Sequence, residues 1–365
     1  MGTICIIGLN SCKKENKVIA PKDFPNSPQG NFEAFWHGMN RYYAFWEYDP
    51  TNWDKMYTEY KDKVSDTTSE IGLYYIFKEM ISGLIDHHFT LSGNINDSMN
   101  FIIGPKKVMD LSISYHYLLD SDYYEQTLFN QLDPNDREKY NGFVFGTLLG
   151  KYQFVRFPQF DVLGWAGTNP NFVLNMINFL SNPAPYHKGV IVDLRGNSGG
   201  NSDEISLLVG PFIKEPLEYG YLKVKTGPNR NEFSPWMPEK AFPSSYGFNS
   251  LPIVVLCDQL TASNGELTTM ALSLLPRCTV VGTTTFGAHA ALAGPSVRYL
   301  TYAGTFYLPN GWKVQTTVNV FKFKDGNIYE GKGFPPDIHI ALDENLFLGL
   351  GIDNQLQKAL EILPQ

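Results

Sequence analysis

Apolar positions along this chain keep two alternating periods. From Asn31 to Leu84 the spacing is helical: Phe32, Phe35, Trp36, Met39, Tyr42 and Tyr43 share one face and Asp49-Pro50 breaks the run. Leu73, Ile76, Phe77, Met80, Ile81 and Leu84 then line a second helix. So many aromatics at helical spacing predict the core of a small helical bundle. Residues 91–150 carry Asn, Asp and Ser turns between short apolar runs such as Phe101 to Ile103, which predicts irregular β structure. Tyr152 to Phe157 alternates as a strand does, and Asn171 to Leu180 is helical again.

Two later units share one plan. In the first, the apolar run Val190 to Leu194 leads into a Gly/Asn/Ser turn (Arg195 to Ser202) and a helical face of Ile205, Leu208, Val209, Phe212 and Ile213. In the second, Ile253 to Val255 leads into a polar turn. Leu267, Met270, Ala271, Leu274 and Leu275 follow at the i, i+3, i+4, i+7, i+8 spacing of one buried helix face. Cys278 to Gly282 adds a strand, and Tyr302 to Ile340 is β-rich. Strands alternating with helices predict a largely parallel sheet in an α/β domain. Ligands bind beyond the carboxyl ends of such strands, so the two polar turns should face one crevice.

With 365 residues, 43% of them hydrophobic, the chain can bury a sizeable core and fill more than one domain. Charged residues make up only 18%, the net charge is −8 and no basic run occurs, which excludes a disordered chain and a nucleic-acid partner. None of Cys5, Cys12, Cys257 and Cys278 has metal-site spacing, and the two strand cysteines, Cys257 and Cys278, read as buried reduced thiols. The apolar run Thr3 to Leu9 falls short of the roughly 20 residues that span a bilayer. Leu9 and Ser11 before Cys12 resemble the end of a bacterial lipoprotein signal, with Cys12 as the lipidated residue, although the charged start of such a signal is missing. Residues 1–30 are then a lipoprotein-like signal and Pro-containing tether, and the expected location is the envelope of a Gram-negative-type bacterium, anchored to its membrane.

Ser263 lies at the N-terminus of the helix in the second unit. Unpaired N–H groups and the helix dipole favour negative charge there, which suits a hydroxyl that attacks a carbonyl and leaves an oxyanion. Ser263-Asn264-Gly265-Glu266 also spells a capping box, Ser at the cap and Glu three residues on. The Gly199-Gly200 turn lets backbone N–H groups approach a ligand, and the N–H of Asn264 is a natural second oxyanion donor. A serine also needs a base, and spacing does not choose among the histidines; adjacent His87 and His88 at a helix exit are either a polar turn or part of a site. There is no GxxxxGK[ST], GxSxG or HExxH, and no GxGxxG after a strand.

Four segments, taken in order, resemble the tail-specific (C-terminal processing) peptidase family of serine proteases, whose core also occurs in the tricorn protease. They are Gly83–Thr90 (GLIDHHFT), Val190–Gly200 (VIVDLRGNSGG), Thr261–Glu266 (TASNGE) and Glu330–Ile338 (EGKGFPPDI). The resemblance implies a crotonase-like α/β core with a largely parallel sheet, preceded by a small helical domain at 31–92. The core at 93–365 would include the irregular segment 93–150 and no clear PDZ module. It implies Ser263 as nucleophile, a peptide or protein substrate, and no metal or organic cofactor. Many members use a lysine where this chain has Ala288. The tricorn-like branch instead uses a histidine and a glutamate, matched here by His88 and Glu330. Gly199 and Asn264 match the oxyanion positions, and His289, one residue past the lost lysine, is an alternative base. Two other readings stand beside the peptidase: an inactive peptide- or ligand-binding member, and an esterase on the same serine. Substrate specificity and oligomeric state are not written in the sequence.

Overall fold

A computed structural model describes residues 24–107, 122–162, 164, 169–291 and 304–365; Cys12 and the start of the tether lie outside them. Helices α1 (Pro28–Tyr42), α2 (Trp53–Tyr60) and α3 (Glu70–Ile81) begin at Ser27, Asn52 and Ser69. Each of those side chains accepts a backbone N–H of the first turn, from Gly30, Lys55 and Gly72. The three helices bury Phe32, Phe35, Met39, Trp53 and Phe77 in one cluster. Strands β1 (Thr90–Ile95) and β2 (Met99–Ile103) follow, so the division expected at residues 92/93 falls inside a strand. Helix α4 (Asp122–Gln131) stands in the segment where the turn residues predict irregular β structure.

The centre is a seven-stranded sheet. It contains β3 (Glu138–Tyr140), β4 (Phe143–Leu148), β5 (Tyr152–Arg156), β6 (Gly189–Asp193), β9 (Ile253–Cys257), β10 (Cys278–Gly282) and β14 (Ile338–His339), in the order β14-β10-β9-β6-β5-β4-β3. Neighbours from β14 to β5 are parallel, and β4 and β3 add antiparallel. β5, β6 and β9 are buried at every residue because helices cover both faces, which is why they read as apolar runs without alternation. Val190, Val192, Ile253 and Val255 pack against α5 (Pro170–Ser181), α6 (Ile205–Val209) and α7 (Asn264–Ser273). Ile191, Val254 and Leu256 pack against α8 (Glu344–Leu350) and α9 (Asn354–Ile362).

Helix α7 corrects the expectation of a one-sided buried face. Every residue from Asn264 to Leu272 is buried, including Glu266, Thr268 and Thr269, because chain packs on its far side as well. Cys257 pairs opposite Gly282 and Cys278 opposite Ile253, and both thiols are free, as expected. β7 (Leu217–Val224), β8 (Met237–Ala241) and β13 (Asn319–Phe323) form a three-stranded sheet in the order β13-β7-β8. β11 (Thr305–Tyr307) and β12 (Lys313–Gln315) join β1 and β2 in a four-stranded one. Phe306, Trp312 and Val314 of this last sheet and its turn complete the core of the N-terminal helices, so the bundle is closed by distant chain. No described helix is long and apolar enough to cross a membrane.

Candidate active site

Parallel pairing of β6 with β9 brings the turns that follow them side by side. Asp258 accepts the N–H of Gly196 at 3.0 Å and of Thr261 at 2.9 Å. Thr261 Oγ1 donates to Leu194 O at 2.9 Å, and Ala262 N to Asn197 O at 2.8 Å. The two turns are therefore stitched together. The first turn is fixed by Arg195, fully buried, whose guanidinium bridges Asp193 (Nη2 to Oδ2, 2.8 Å), Asp353 (2.8 Å) and Gln355 (2.9 Å).

Ser263 stands at φ 51°, ψ −121°, a conformation that costs a non-glycine residue about 1–3 kcal/mol and persists only where its surroundings impose it. The imposing contacts are Ser263 N to Ala288 O at 2.7 Å and the helix bonds accepted by Ser263 O from Glu266 and Leu267. The capping box does not form: the serine side chain makes no cap bond. Glu266 also binds a strap of residues 285–291, where it accepts from Thr285 Oγ1 (2.5 Å), Gly287 N (2.7 Å) and Ala288 N (2.7 Å). Burial pushes the Glu266 carboxyl up to about 7, and these bonds act in the opposite sense.

Gly199 (φ +99°) packs directly on the serine; a Cβ there would lie 2.3 Å from Ser263 Cβ. The N–H of Asn264 has no hydrogen-bond partner among the described residues. That of Gly199 is not the open donor the sequence suggested, because Asn197 Oδ1, two residues back, accepts it at 2.8 Å.

The base side is built from the exit of α3 and the Glu330 turn. Tyr43 Oη donates to Asp49 Oδ2 at 2.6 Å and accepts the N–H of Asp86 at 3.3 Å, tying that exit to the helical bundle. Asp86 Oδ1 accepts the N–H of His88, and Oδ2 accepts both Thr317 N and Thr317 Oγ1, each at 3.0 Å. A ring nitrogen of His88 and carboxylate oxygens of Asp86 and Glu330 lie within 4.8 Å of one another. Glu330 Oε2 accepts the strap's His289 N (3.1 Å) and Ala290 N (3.0 Å), whereas Oε1 is buried without a partner, as is His88 Nδ1. Burial lowers His88 to about 4 and raises Asp86 to about 6; it raises Glu330 well above the carboxylate range, with the Asp86 charge adding.

No hydrogen bond to His88 Nε2 occurs among the described residues. His289 differs: both ring nitrogens are buried without a full hydrogen bond, and Nδ1 is 3.7 Å from Glu330 Oε2. Burial lowers His289 to about 3, and the Phe321 backbone acts weakly in the opposite sense. Its ring meets Phe321 edge-on at 5.6 Å and lines a cavity of about 380 Å³ shared with Tyr219 and Leu267. His87 turns to Phe286, with ring centroids 5.5 Å apart. No hydrogen bond joins Ser263 Oγ to any histidine among the described residues. The structure thus gathers Ser263, Asn264 and Gly199 where the two turns meet, and His88, His289 and Glu330 around the other end of the strap. Sequence spacing assigns Asp86 and Glu266 no site role, although both lie in segments that carry the family resemblance; partners from distant chain, Thr317 for Asp86 and the strap for Glu266, fix them in place.

A strained serine at a helix N-terminus beside an open N–H, with a histidine and a buried carboxylate across a short strap, is the equipment of acyl transfer. The model of peptidase family S41 matches residues 151–340, just over half the chain, and that of the tricorn protease C1 domain matches residues 24–82. The chain belongs to peptidase family S41. It is 27% identical over 157 residues to the nisin-resistance protein of Lactococcus lactis subsp. lactis, covering 42% of this chain and 46% of that protein. It is 25% identical over 153 residues to the carboxy-terminal processing protease CtpB of Bacillus subtilis, covering 42% and 28%. The matches therefore span less than half the length of these curated relatives. A crystal structure from Parabacteroides merdae, described as a peptidase, superposes with a TM-score of 0.69 at 24% identity, covering 93% of this chain and 97% of that one, and shows the shared fold.

Proposed function

We propose that this chain is a serine peptidase that cleaves peptide bonds through an acyl-enzyme. The observation that carries the reading is the backbone of Ser263, held in a strained conformation with the next N–H, that of Asn264, left open. Ser263 Oγ attacks the carbonyl while His88 Nε2 takes its proton and later gives it to the leaving amine; water then reverses the sequence. Glu330, fixed by the strap through Oε2, offers Oε1 to His88 Nδ1 and stabilises the imidazolium. The Asn264 N–H holds the oxyanion, joined by the Gly199 N–H once Asn197 Oδ1 releases it. His88 is favoured over His289 because only its Nδ1 is among the buried orphaned ring nitrogens, whereas both nitrogens of His289 are. The substrates are peptides or proteins of the cell envelope, and the chain is held there through lipid on Cys12, a reading supported by the Leu9–Cys12 pattern.

A fluorophosphonate reagent should add one mass adduct to the wild type and none to Ser263→Ala; labelling that survives the substitution removes Ser263 as nucleophile. Lipid precursor should enter the wild type and not Cys12→Ala in a bacterial host, and equal incorporation removes the anchor. The occupied Gly199 N–H and the absence of a Ser263–histidine bond favour one second reading, a member that holds peptides without cleaving them. An unlabelled wild type that still binds peptide would establish it.

A further inference from the structure

The cluster at His88 is more than a serine protease needs. Two carboxyls, those of Asp86 and Glu330, are buried within reach of one imidazole; no lysine or arginine among the described residues comes within ion-pair distance of either, although Lys107 interacts electrostatically with Glu330. Hydrogen bonds account for both Asp86 oxygens and for Glu330 Oε2. They leave Glu330 Oε1 and His88 Nδ1, both sealed from water, with no donor or acceptor. Orphaned buried polar atoms cost about 1–3 kcal/mol each, so a native fold that keeps two in one cluster has a reason to. A divalent cation satisfies all three groups together.

We propose that Asp86, His88 and Glu330 form a binding site for a single divalent transition-metal ion, Zn²⁺ by donor type, and that the ion acts as a reversible inhibitor rather than a cofactor. One nitrogen and two carboxylate oxygens suit zinc, whose bonds of about 2.0 Å place tetrahedral ligand atoms about 3.3 Å apart. The three donor atoms lie within 4.8 Å of one another, so they must draw in by at most roughly 1.5 Å, a side-chain movement. Asp86 and Glu330 are already aimed by their backbone bonds to Thr317, His289 and Ala290, which is the outer support a metal site requires. The fourth position falls to water. With the ion on His88 Nδ1, the one proton of the neutral imidazole sits on Nε2, so the ring no longer accepts the Ser263 proton. Binding rests on the cluster alone; inhibition rests also on the peptidase reading.

The test is calorimetric titration of the full chain with Zn²⁺, repeated on Glu330→Gln, His88→Gln and Ser263→Ala. Glu330→Gln keeps an oxygen for the His289 and Ala290 N–H groups, so it should fold, and circular dichroism checks each variant. The expected result is one ion per chain in wild type and Ser263→Ala, with affinity at least about 10-fold weaker in both ligand variants. Visible Co²⁺ bands should likewise be lost in Glu330→Gln. Equal affinity in wild type and both ligand variants overturns the site, since other histidines would then carry the ion. A chain that binds one ion through these residues but hydrolyses no peptide leaves the site standing and removes the peptidase reading. An active chain that binds no ion does the reverse. Where both hold, Zn²⁺ should slow peptide hydrolysis and EDTA restore it; hydrolysis unaffected at saturating Zn²⁺ overturns the inhibitory role.

Discussion

Two buried glutamates hold the same strap from opposite ends, and they are in opposite states. Glu266, on the nucleophile side, receives three hydrogen bonds, from Thr285, Gly287 and Ala288, and no side-chain oxygen is left over. Glu330, on the base side, receives two on one oxygen and none on the other, and faces a second carboxyl. The first region is saturated and locks Ser263 in its strained backbone through the bond from Ser263 N to Ala288 O. The second is unsaturated and keeps capacity for something that arrives: a proton, a substrate-driven shift of His88, or an ion. A catalytic site can therefore be rigid where the nucleophile must be aimed and underbonded where charge must change during reaction.

Removing each histidine tests the division most severely. His88→Ala should lower peptide turnover by about 10³-fold or more, as loss of a triad base does, whereas His289→Ala, which opens a cavity beside Phe321, should cost mainly stability. The reverse pattern in steady-state kinetics would assign the base to His289. The glutamates come next. Glu266→Gln turns an amide toward one of its donors and should destabilise by about 1–3 kcal/mol in denaturant unfolding. Smallest is Glu330→Gln, which retains an acceptor for both strap N–H groups and relieves the contact with Asp86. Its unfolding free energy should stay within about 0.5 kcal/mol of wild type or rise, even as activity falls. Equal destabilisation by the two glutamine substitutions would abolish the contrast between the regions.

The sequence alone determined a good part of this. Period and turn chemistry located the helices of the N-terminal bundle and the strand-turn-helix units at β6 and β9, because local backbone preference and burial repeat at short range. It placed Ser263 at a helix start and Gly199 in the facing turn, and the family resemblance marked His88 and Glu330. Tertiary structure decided everything that depends on which distant chain meets a buried polar atom. Glu266 has the spacing of a capping box, yet the hydrogen bonds it accepts from Thr285, Gly287 and Ala288 tie it to the strap. Helix α7 has the pattern of one apolar face yet is buried all round. The Gly199 N–H is closed by Asn197, and Asp86 meets Glu330 across most of the chain's length. Local periodicity records which side of an element is apolar; it carries no record of the partner that long-range packing delivers to a buried charge, and at this site those partners set the chemistry.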